Sequence, residues 1–503
     1  MVSFRNLTRP NQRAHILKLF SALSSRMIRK SALLVMGCCL LTLLGCANRL
    51  INPPLDKIDL KTGYRGLLER RSENNQLPET LVVLAFSGGG TRAASFSYGV
   101  LETLREMELV EPSGKKVRAL DQVNFITGVS GGSFTALAYG LYGEKLFDFY
   151  EKDFLKRDVQ GEIIARAANP FNWTRLASTG WGRSELAAEL YDEILFHGAT
   201  YADLKKSNGP FILASGTDIS SGGGFSFDQT FFDYLCSDLL GVPLSRAAAS
   251  SSAVPFVLSP VTYNNYAGEC KFIEPEYLAQ FENAKNAPRP AARLIKAMQD
   301  LKAYHNQKEN PYIHIVDGGV ADNLALREML DFLEGLEAMT LSGQSTPFES
   351  VKRIIVVVVN SLSSPKTNWN KEVDGPGAIE LLIKATGVPI DHYSYEEVEA
   401  LIDTQSRWNN MRTLRNSKLF KTNTNRDLAN IVNTPDIDLY VVNVAFNKLE
   451  DKAEYEYLNN LPTSFVLSPE EVDRLRAAAK KIILTSPEMK KILKNENTKI
   501  VKQ

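Results

Sequence analysis

Val123-Asn124-Phe125-Ile126-Thr127-Gly128-Val129-Ser130-Gly131-Gly132 is a short apolar run that stops at glycine and puts a serine where the next element begins. The run reads as a buried strand over residues 123–127, and Phe134, Leu137 and Ala138 continue it as a helix. Upstream, residues 81–86 (LVVLAF) are a second such strand, ending at Gly88-Gly89-Gly90. Helical spacing follows from Ala93 to Leu109, with Phe96, Val100, Leu101 and Leu104 on one face. Strand, helix, strand, helix is the pattern of a parallel sheet with crossover helices. Residues 210–214, 312–316, 353–359 and 438–446 predict four more strands, the third of these so apolar that both its faces must be covered. The predicted class is therefore α/β: a three-layer α/β/α domain over residues 80–485, with a mostly parallel central sheet and helical insertions. Those insertions fall near 150–200, 276–311 and 376–433.

The 503 residues carry 58 basic and 58 acidic side chains, with 44% hydrophobic and 23% charged residues. That ordinary globular composition excludes a disordered polyelectrolyte, a collagen-like repeat and a multispanning membrane protein. It offers no basic excess of the kind that nucleic-acid binding needs. The neutral total is segregated, however. Residues 1–45 hold Arg5, Arg9, Arg13, Lys18, Arg26, Arg29 and Lys30 and no acid, so the remainder is net acidic. Next comes the apolar run 32–45, too short for a transmembrane helix, which needs about 20 residues. A basic stretch before a short apolar core describes a secretory signal. Its end, Leu43-Leu44-Gly45-Cys46, resembles the bacterial lipoprotein signal box, which implies acylation of Cys46 and loss of residues 1–45. Met27 is an alternative start that gives a more compact leader. Residues 46–79 then read as a tether, and 486–503 as a basic C-terminal tail. Ala47 implies, by the same resemblance, a bacterial cell-envelope address on the periplasmic face of the outer membrane. Cys236 and Cys270 remain as a pair in an oxidising compartment, either bonded or separately buried.

Three motifs carry the chemistry. Gly128-Val129-Ser130-Gly131-Gly132 matches G-x-S-x-G at a strand-to-helix turn, where small neighbours let the chain bend sharply and expose a hydroxyl. Gly88-Gly89-Gly90-Thr91-Arg92 ends the preceding strand, where glycines let backbone N–H groups converge on an anion. A dinucleotide loop would need glycine at position 93, which is alanine, and no Walker lysine follows. Val316-Asp317-Gly318-Gly319 ends another predicted strand, so its carboxylate is expected at the same sheet edge as Ser130. Asp322 is a weaker candidate acid.

These motifs in this order resemble the patatin-like phospholipases, whose signatures are G-G-G-x-[RK], G-x-S-x-G and D-G-[GA]. Ser251-Ser252-Ala253-Val254-Pro255-Phe256 and Leu461-Pro462-Thr463-Ser464-Phe465 are similar to further landmarks of that family. The resemblance implies a patatin-like fold and a Ser130/Asp317 dyad, with Gly88, Gly89 and Gly90 as the oxyanion hole. Arg92, Gly128, Gly132, Gly318 and Gly319 would support them, Arg92 by orienting the glycine loop or offsetting negative charge. It implies cleavage of fatty-acyl esters of (lyso)phospholipids through an acyl-enzyme, with membrane lipid as substrate and lipid-modified Cys46 as anchor. The aromatic insertion (Tyr150, Phe154, Phe171, Trp173, Trp181, Leu195, Phe196) would line an acyl-chain pocket or an interface-binding surface. Other readings are an esterase, thioesterase or lipase on non-phospholipid substrates, or a non-catalytic lipid-binding lipoprotein. A Ser130-Asp317-His392 triad is the rival mechanism, but only one predicted strand precedes the serine's own. No cofactor is implied, and no metal-ligand spacing or calcium loop is present.

Overall fold

The structure, a computed structural model, describes residues 48–66, 77–272, 292–341, 346, 348–371, 373, 375–421 and 435–494. The predicted signal, Cys46 and residues 495–503 of the predicted tail lie outside the described residues, as do 276–291 and 422–433 of two predicted insertions. Among the described residues, no helix is long and apolar enough to cross a membrane.

Eight strands build one sheet. They are β1 (Thr80–Phe86), β2 (Val123–Val129), β3 (Phe211–Asp218), β4 (Gly224–Ser226), β5 (Val261–Asn264), β6 (Tyr312–Asp317), β7 (Arg353–Asn360) and β8 (Asp438–Ala445). Their order is β8-β7-β1-β2-β3-β6-β5, with β4 paired to β3. From β8 to β3 every neighbouring pair is parallel. All of β1 and all but the last residue of β7 are buried, which is why residues 81–86 and 354–359 within them are continuous apolar runs instead of alternating ones. The helices used below are α1 (Gly90–Arg105), α2 (Gly131–Tyr142), α3 (Pro170–Leu176), α4 (Arg183–Tyr191), α5 (Leu244–Ser251), α6 (Ala378–Asn416) and α7 (Pro469–Thr485). α1 and α2 leave β1 and β2 directly as crossovers. α7 closes against α1: Gly99 meets the Arg476 backbone, and the Arg476 guanidinium forks onto Glu102 at 2.6 and 2.9 Å. The sheet therefore has helices on it as predicted, and strand order reverses at β1.

The sheet is mostly parallel, as predicted; its antiparallel pairings, those of β4, β5 and β6, all lie on one side. β4 and β5 were not predicted, because three or four residues are too few to show a period. One expectation, the tether, needs correction. Tyr64 is buried, stacks on Phe211 at 4.8 Å, and its hydroxyl accepts the Ile212 N–H at 2.7 Å. Arg65 pairs with Asp233 at 2.7 Å. The Asn52 side chain donates to the Asn264 carbonyl at 3.0 Å and accepts the Asn264 N–H at 2.7 Å, covering the open edge of β5. Residues 48–66 are thus part of the folded body, because they supply an aromatic anchor and the partner that an edge strand lacks.

Cys236 and Cys270 are bonded, with Cα atoms 5.3 Å apart and a sequence separation of 34. Closing a loop of that length restricts the unfolded chain by roughly 3–4 kcal/mol. Reduction, or Cys270→Ser, is therefore expected to lower the thermal midpoint by several degrees. A thermal scan with and without reductant checks this; an unchanged midpoint would contradict it.

Candidate active site

Ser130 sits between β2 and α2 with φ 50° and ψ −121°, a backbone conformation that costs a residue with a side chain about 1–3 kcal/mol. Four hydrogen bonds hold it there. Its N–H donates to Ser251 Oγ at 2.9 Å, and Ser251 Oγ in turn donates to the Ser215 carbonyl at 2.6 Å. Its carbonyl accepts from Ser133 N–H at 3.0 Å and Ser133 Oγ at 2.6 Å. Its own hydroxyl donates to Asp317 Oδ2 at 2.8 Å. The N-terminal end of α2, the positive end of its dipole, begins at the very next residue.

Asp317 reaches Ser130 by a route that the sequence did not indicate. β3 runs on past β2, and β6 pairs with that overhang from the opposite direction. Val129 lies beside Ser215 on β3, and Gly216 lies beside Asp317 on β6. Two adjacent rungs of the sheet therefore bring serine and aspartate together, although β6 points its carboxyl end back into the sheet. The Ala253 carbonyl accepts the Asp317 N–H at 3.0 Å, and Gly319 N–H donates to Asp317 Oδ1 at 2.8 Å. Ser130 is 4% exposed and Asp317 7% exposed. Burial pushes the Asp317 carboxyl up to about 6, while the Gly319 N–H and the Ser130 hydroxyl pull it partly back.

The glycine loop lies against the serine turn. Gly89 (φ 136°) and Gly90 (φ 60°) occupy left-handed conformations that other residues resist. A Cβ on Gly131 would collide with the Gly90 carbonyl, so both segments must lack side chains there. Gly132 meets the Phe86 and Ser87 carbonyls, Gly128 the Ser133 backbone, and Gly318 the Ser215 carbonyl, each too close for a side chain. One predicted assignment fails. The Gly88 N–H already donates to the Asn323 carbonyl at 2.9 Å, so it does not face the site as an oxyanion donor. Among the described residues no acceptor meets the Gly89 or Gly90 N–H.

Arg92 orients the loop and does not offset charge beside Ser130. It is buried, and its guanidinium donates to the Ser361 carbonyl at 2.8 Å, the Leu461 carbonyl at 2.7 Å and Thr463 Oγ1 at 3.1 Å. Burial lowers it to about 10, with the Asp391 charge opposing that shift. Ser361 Oγ donates to the Gly88 carbonyl at 2.9 Å, and Thr91 N–H donates to the Ser464 carbonyl at 2.8 Å. The loop is thus gripped from the C-terminal part of the chain.

Other predicted candidates sit elsewhere. Asp322 accepts backbone N–H groups of Leu324, Leu326 and Arg327 and so shapes the turn after Gly319. His392 is exposed on α6, and Ser130 donates straight to Asp317, so the triad is not assembled. Tyr150, Phe154, Trp181, Leu195 and Phe196 are buried, whereas Phe171 and Trp173 are exposed, which splits the aromatic insertion in two. Among the described residues no group of three His, Cys, Asp or Glu side chains is placed to hold a metal.

Sequence reasoning gave no role to Ser251, Asn323, Ser361 or Tyr191. The Tyr191 hydroxyl lies beside Ser252 and feels the Asp317 charge, and burial raises it well above its ordinary value. Its ring meets Phe134 edge-on at 4.7 Å, giving the site an apolar floor. The serine pair at 251–252 was a visible signal; nothing local marks Ser361.

A family model described as patatin-like phospholipase matches residues 84–330. Among solved structures the chain is similar to human GIVD cytosolic phospholipase A2, at 12% identity and a TM-score of 0.34, covering 85% of this chain and 64% of that one. The same human protein in complex with methyl gamma-linolenyl fluorophosphonate matches at 13% identity and a TM-score of 0.37, over 83% and 60% of the two chains. VipD from Legionella pneumophila matches at 12% identity and a TM-score of 0.28, over 91% and 73%. This chain spans somewhat less than two thirds of the human protein's chain. No curated protein matches it. The stretch that carries the glycine loop, the serine and the aspartate, residues 84–330, is a patatin-like phospholipase domain.

Proposed function

We propose that the protein is a serine lipid acyl hydrolase that cleaves fatty-acyl esters of phospholipids or lysophospholipids. The observation that carries this reading is the 2.8 Å hydrogen bond from Ser130 Oγ to Asp317 Oδ2 at a strained strand-to-helix turn. Ser130 Oγ attacks the ester carbonyl carbon while Asp317 takes its proton. The tetrahedral oxyanion is met by the N–H groups of Gly89 and Gly90, helped by the dipole of α2. The C–O bond to the alcohol breaks, Asp317 returns the proton to the leaving oxygen, and the acyl group stays on Ser130. Water, deprotonated by Asp317, then releases the fatty acid. Acylated Cys46 would keep the enzyme in the cell envelope beside its substrate. Free-fatty-acid release from mixed phospholipids by the purified chain tests this. Release that survives Ser130→Ala would overturn it, and a strong preference for soluble short-chain esters would move the substrate outside the phospholipids.

The aspartate must be ionised to act as base. With its carboxyl near 6, kcat/KM is expected to be flat at pH 7–8 and to fall about tenfold per unit below pH 6. A pH profile on a neutral ester measures this; an acid limb near pH 4 would mean the carboxyl is not held up by burial.

A further inference from the structure

Three pieces of apolar surface are left exposed among the described residues. On α3, Phe171 is 85% and Trp173 59% exposed. After α5, Phe256 is 68% exposed and Val257 is exposed beside it. Leu50 and Ile51 are exposed at the start of the described chain. Phe256 is doubly costly, since it also has φ 71°, a conformation that disfavours a bulky side chain.

Contacts join these pieces into one neighbourhood. Two residues after Trp173, Arg175 lies over the Trp181 ring at 4.1 Å. Gly180, next to Trp181, packs on the Arg49 side chain. Arg49 donates to the Thr262 carbonyl at 3.2 Å, which fixes Leu50 and Ile51 beside β5. Gly182 packs on Ser259, whose Oγ accepts the Ser184 N–H at 3.1 Å, and Ser259 is two residues beyond Val257. The same loop leads back to the catalytic pair, because Phe256 is three residues after Ala253, whose carbonyl holds the Asp317 N–H. An exposed apolar cluster beside a site for acyl esters marks a surface for something apolar.

The direction of the chain says what that is. Arg49 is fixed in this neighbourhood, and Cys46 is three residues upstream. Three residues reach at most about 11 Å. Acyl chains on Cys46 would therefore enter a bilayer next to Phe171, Trp173 and Phe256 and not on the far side of the sheet.

We propose that Phe171 and Trp173, Phe256 and Val257, and Leu50 and Ile51 form the surface by which the protein docks on a lipid bilayer, with Ser130 and Asp317 at its border. This rests on the lipid-hydrolase reading for its purpose but not on acylation of Cys46 for its affinity, since apolar side chains partition into the interface themselves. The docking fixes which face of the enzyme meets its substrate and leaves the acyl bond a short path to Ser130.

The test uses the chain from residue 46 onward carrying Cys46→Ser, so that neither an acyl anchor nor the apolar leader masks the surface, and phosphatidylcholine vesicles, which present no net charge. Two further variants are added to it, Phe171→Ser with Trp173→Ser, and Phe256→Asn, because asparagine accepts a positive φ. Cosedimentation gives vesicle partition, and turnover of a soluble short-chain ester reports the fold and the catalytic pair. The Cys46→Ser chain should still bind, and each variant should lose at least tenfold in partition while soluble-ester turnover stays within twofold. Failure of the Cys46→Ser chain to bind, or equal partition in all three chains, overturns the docking surface. Weakened partition with no ester turnover and no fluorophosphonate adduct in any chain would leave the surface standing and sink the hydrolase reading instead.

Discussion

Ser130→Ala and Asp317→Asn should each reduce acyl-ester hydrolysis by roughly three to six orders of magnitude, and the double variant should be no worse than either alone. The two groups act as one unit: the hydroxyl without its base is a poor nucleophile, and the base without the hydroxyl has nothing to activate. The hydrogen bond between them is already formed at 2.8 Å, so each substitution removes an existing geometry. Steady-state kinetics on one ester checks this, and losses that multiply in the double variant would show that the pair does not act together.

Asp317→Asn carries a second expectation of opposite sign. The folded carboxyl lies near 6, above its unfolded value of about 3.9, so the unfolded chain ionises first and stability falls as the pH rises from about 4 to about 6. The cost is fully present at pH 8, shrinks as pH falls through 6, and vanishes below about 4. It amounts to at most about 3 kcal/mol. The asparagine variant should therefore melt higher than the parent at pH 8, and the two should converge near pH 4. A dead enzyme that is also more stable would mark Asp317 as held charged for its chemistry. A dead enzyme that melts lower at pH 8 would mark it as a structural acceptor for Ser130 and Gly319.

Arg92→Ala has the next largest expected effect. It strands two carbonyls and a threonine hydroxyl in a buried space and leaves a cavity, a loss of about 3–5 kcal/mol. What it does to catalysis is more specific. Arg92, Ser361 and the 461–464 segment together hold the loop whose Gly89 and Gly90 N–H groups are the proposed oxyanion donors. An oxyanion donor moved out of place costs about 10²–10³ in kcat. KM should change little, because the loop acts on the transition state and not on the lipid tail. Arg92→Lys should recover only part, since an ammonium presents its donors from a single point, whereas the three acceptors sit around a planar fork. Reaction of Ser130 with a fluorophosphonate reads the same loop independently of substrate binding. An Arg92→Ala protein that stays folded with full kcat would show that the C-terminal grip does not matter to the chemistry.

The motifs at 88–92, 128–132 and 317–319 were legible because what each does is local. A sharp turn needs residues without Cβ, a nucleophile needs a strand-to-helix corner, and these demands act over four or five neighbouring positions. The buried strands were legible for a related reason: covering both faces leaves β1 and β7 polar residues only at their ends. The short antiparallel strands were not, since three residues have no period. The tether was misread because its polar composition resembles a loop, while its Tyr64 and Asn52 have partners in β3 and β5, more than a hundred residues away.

The sequence by itself therefore determined the class of sheet and pointed to Ser130 and Asp317 as the candidate pair that it presents. The tertiary structure decided how they meet. Asp317 arrives on a strand running against its neighbour, Gly88 gives its N–H to Asn323, and Ser251 takes the N–H of the strained serine. Each of these is a hydrogen bond between segments distant in the chain. Spacing along a sequence records the demands of a turn or a helix; it does not record which of many equivalent backbone groups will be brought to face one another when the sheet closes.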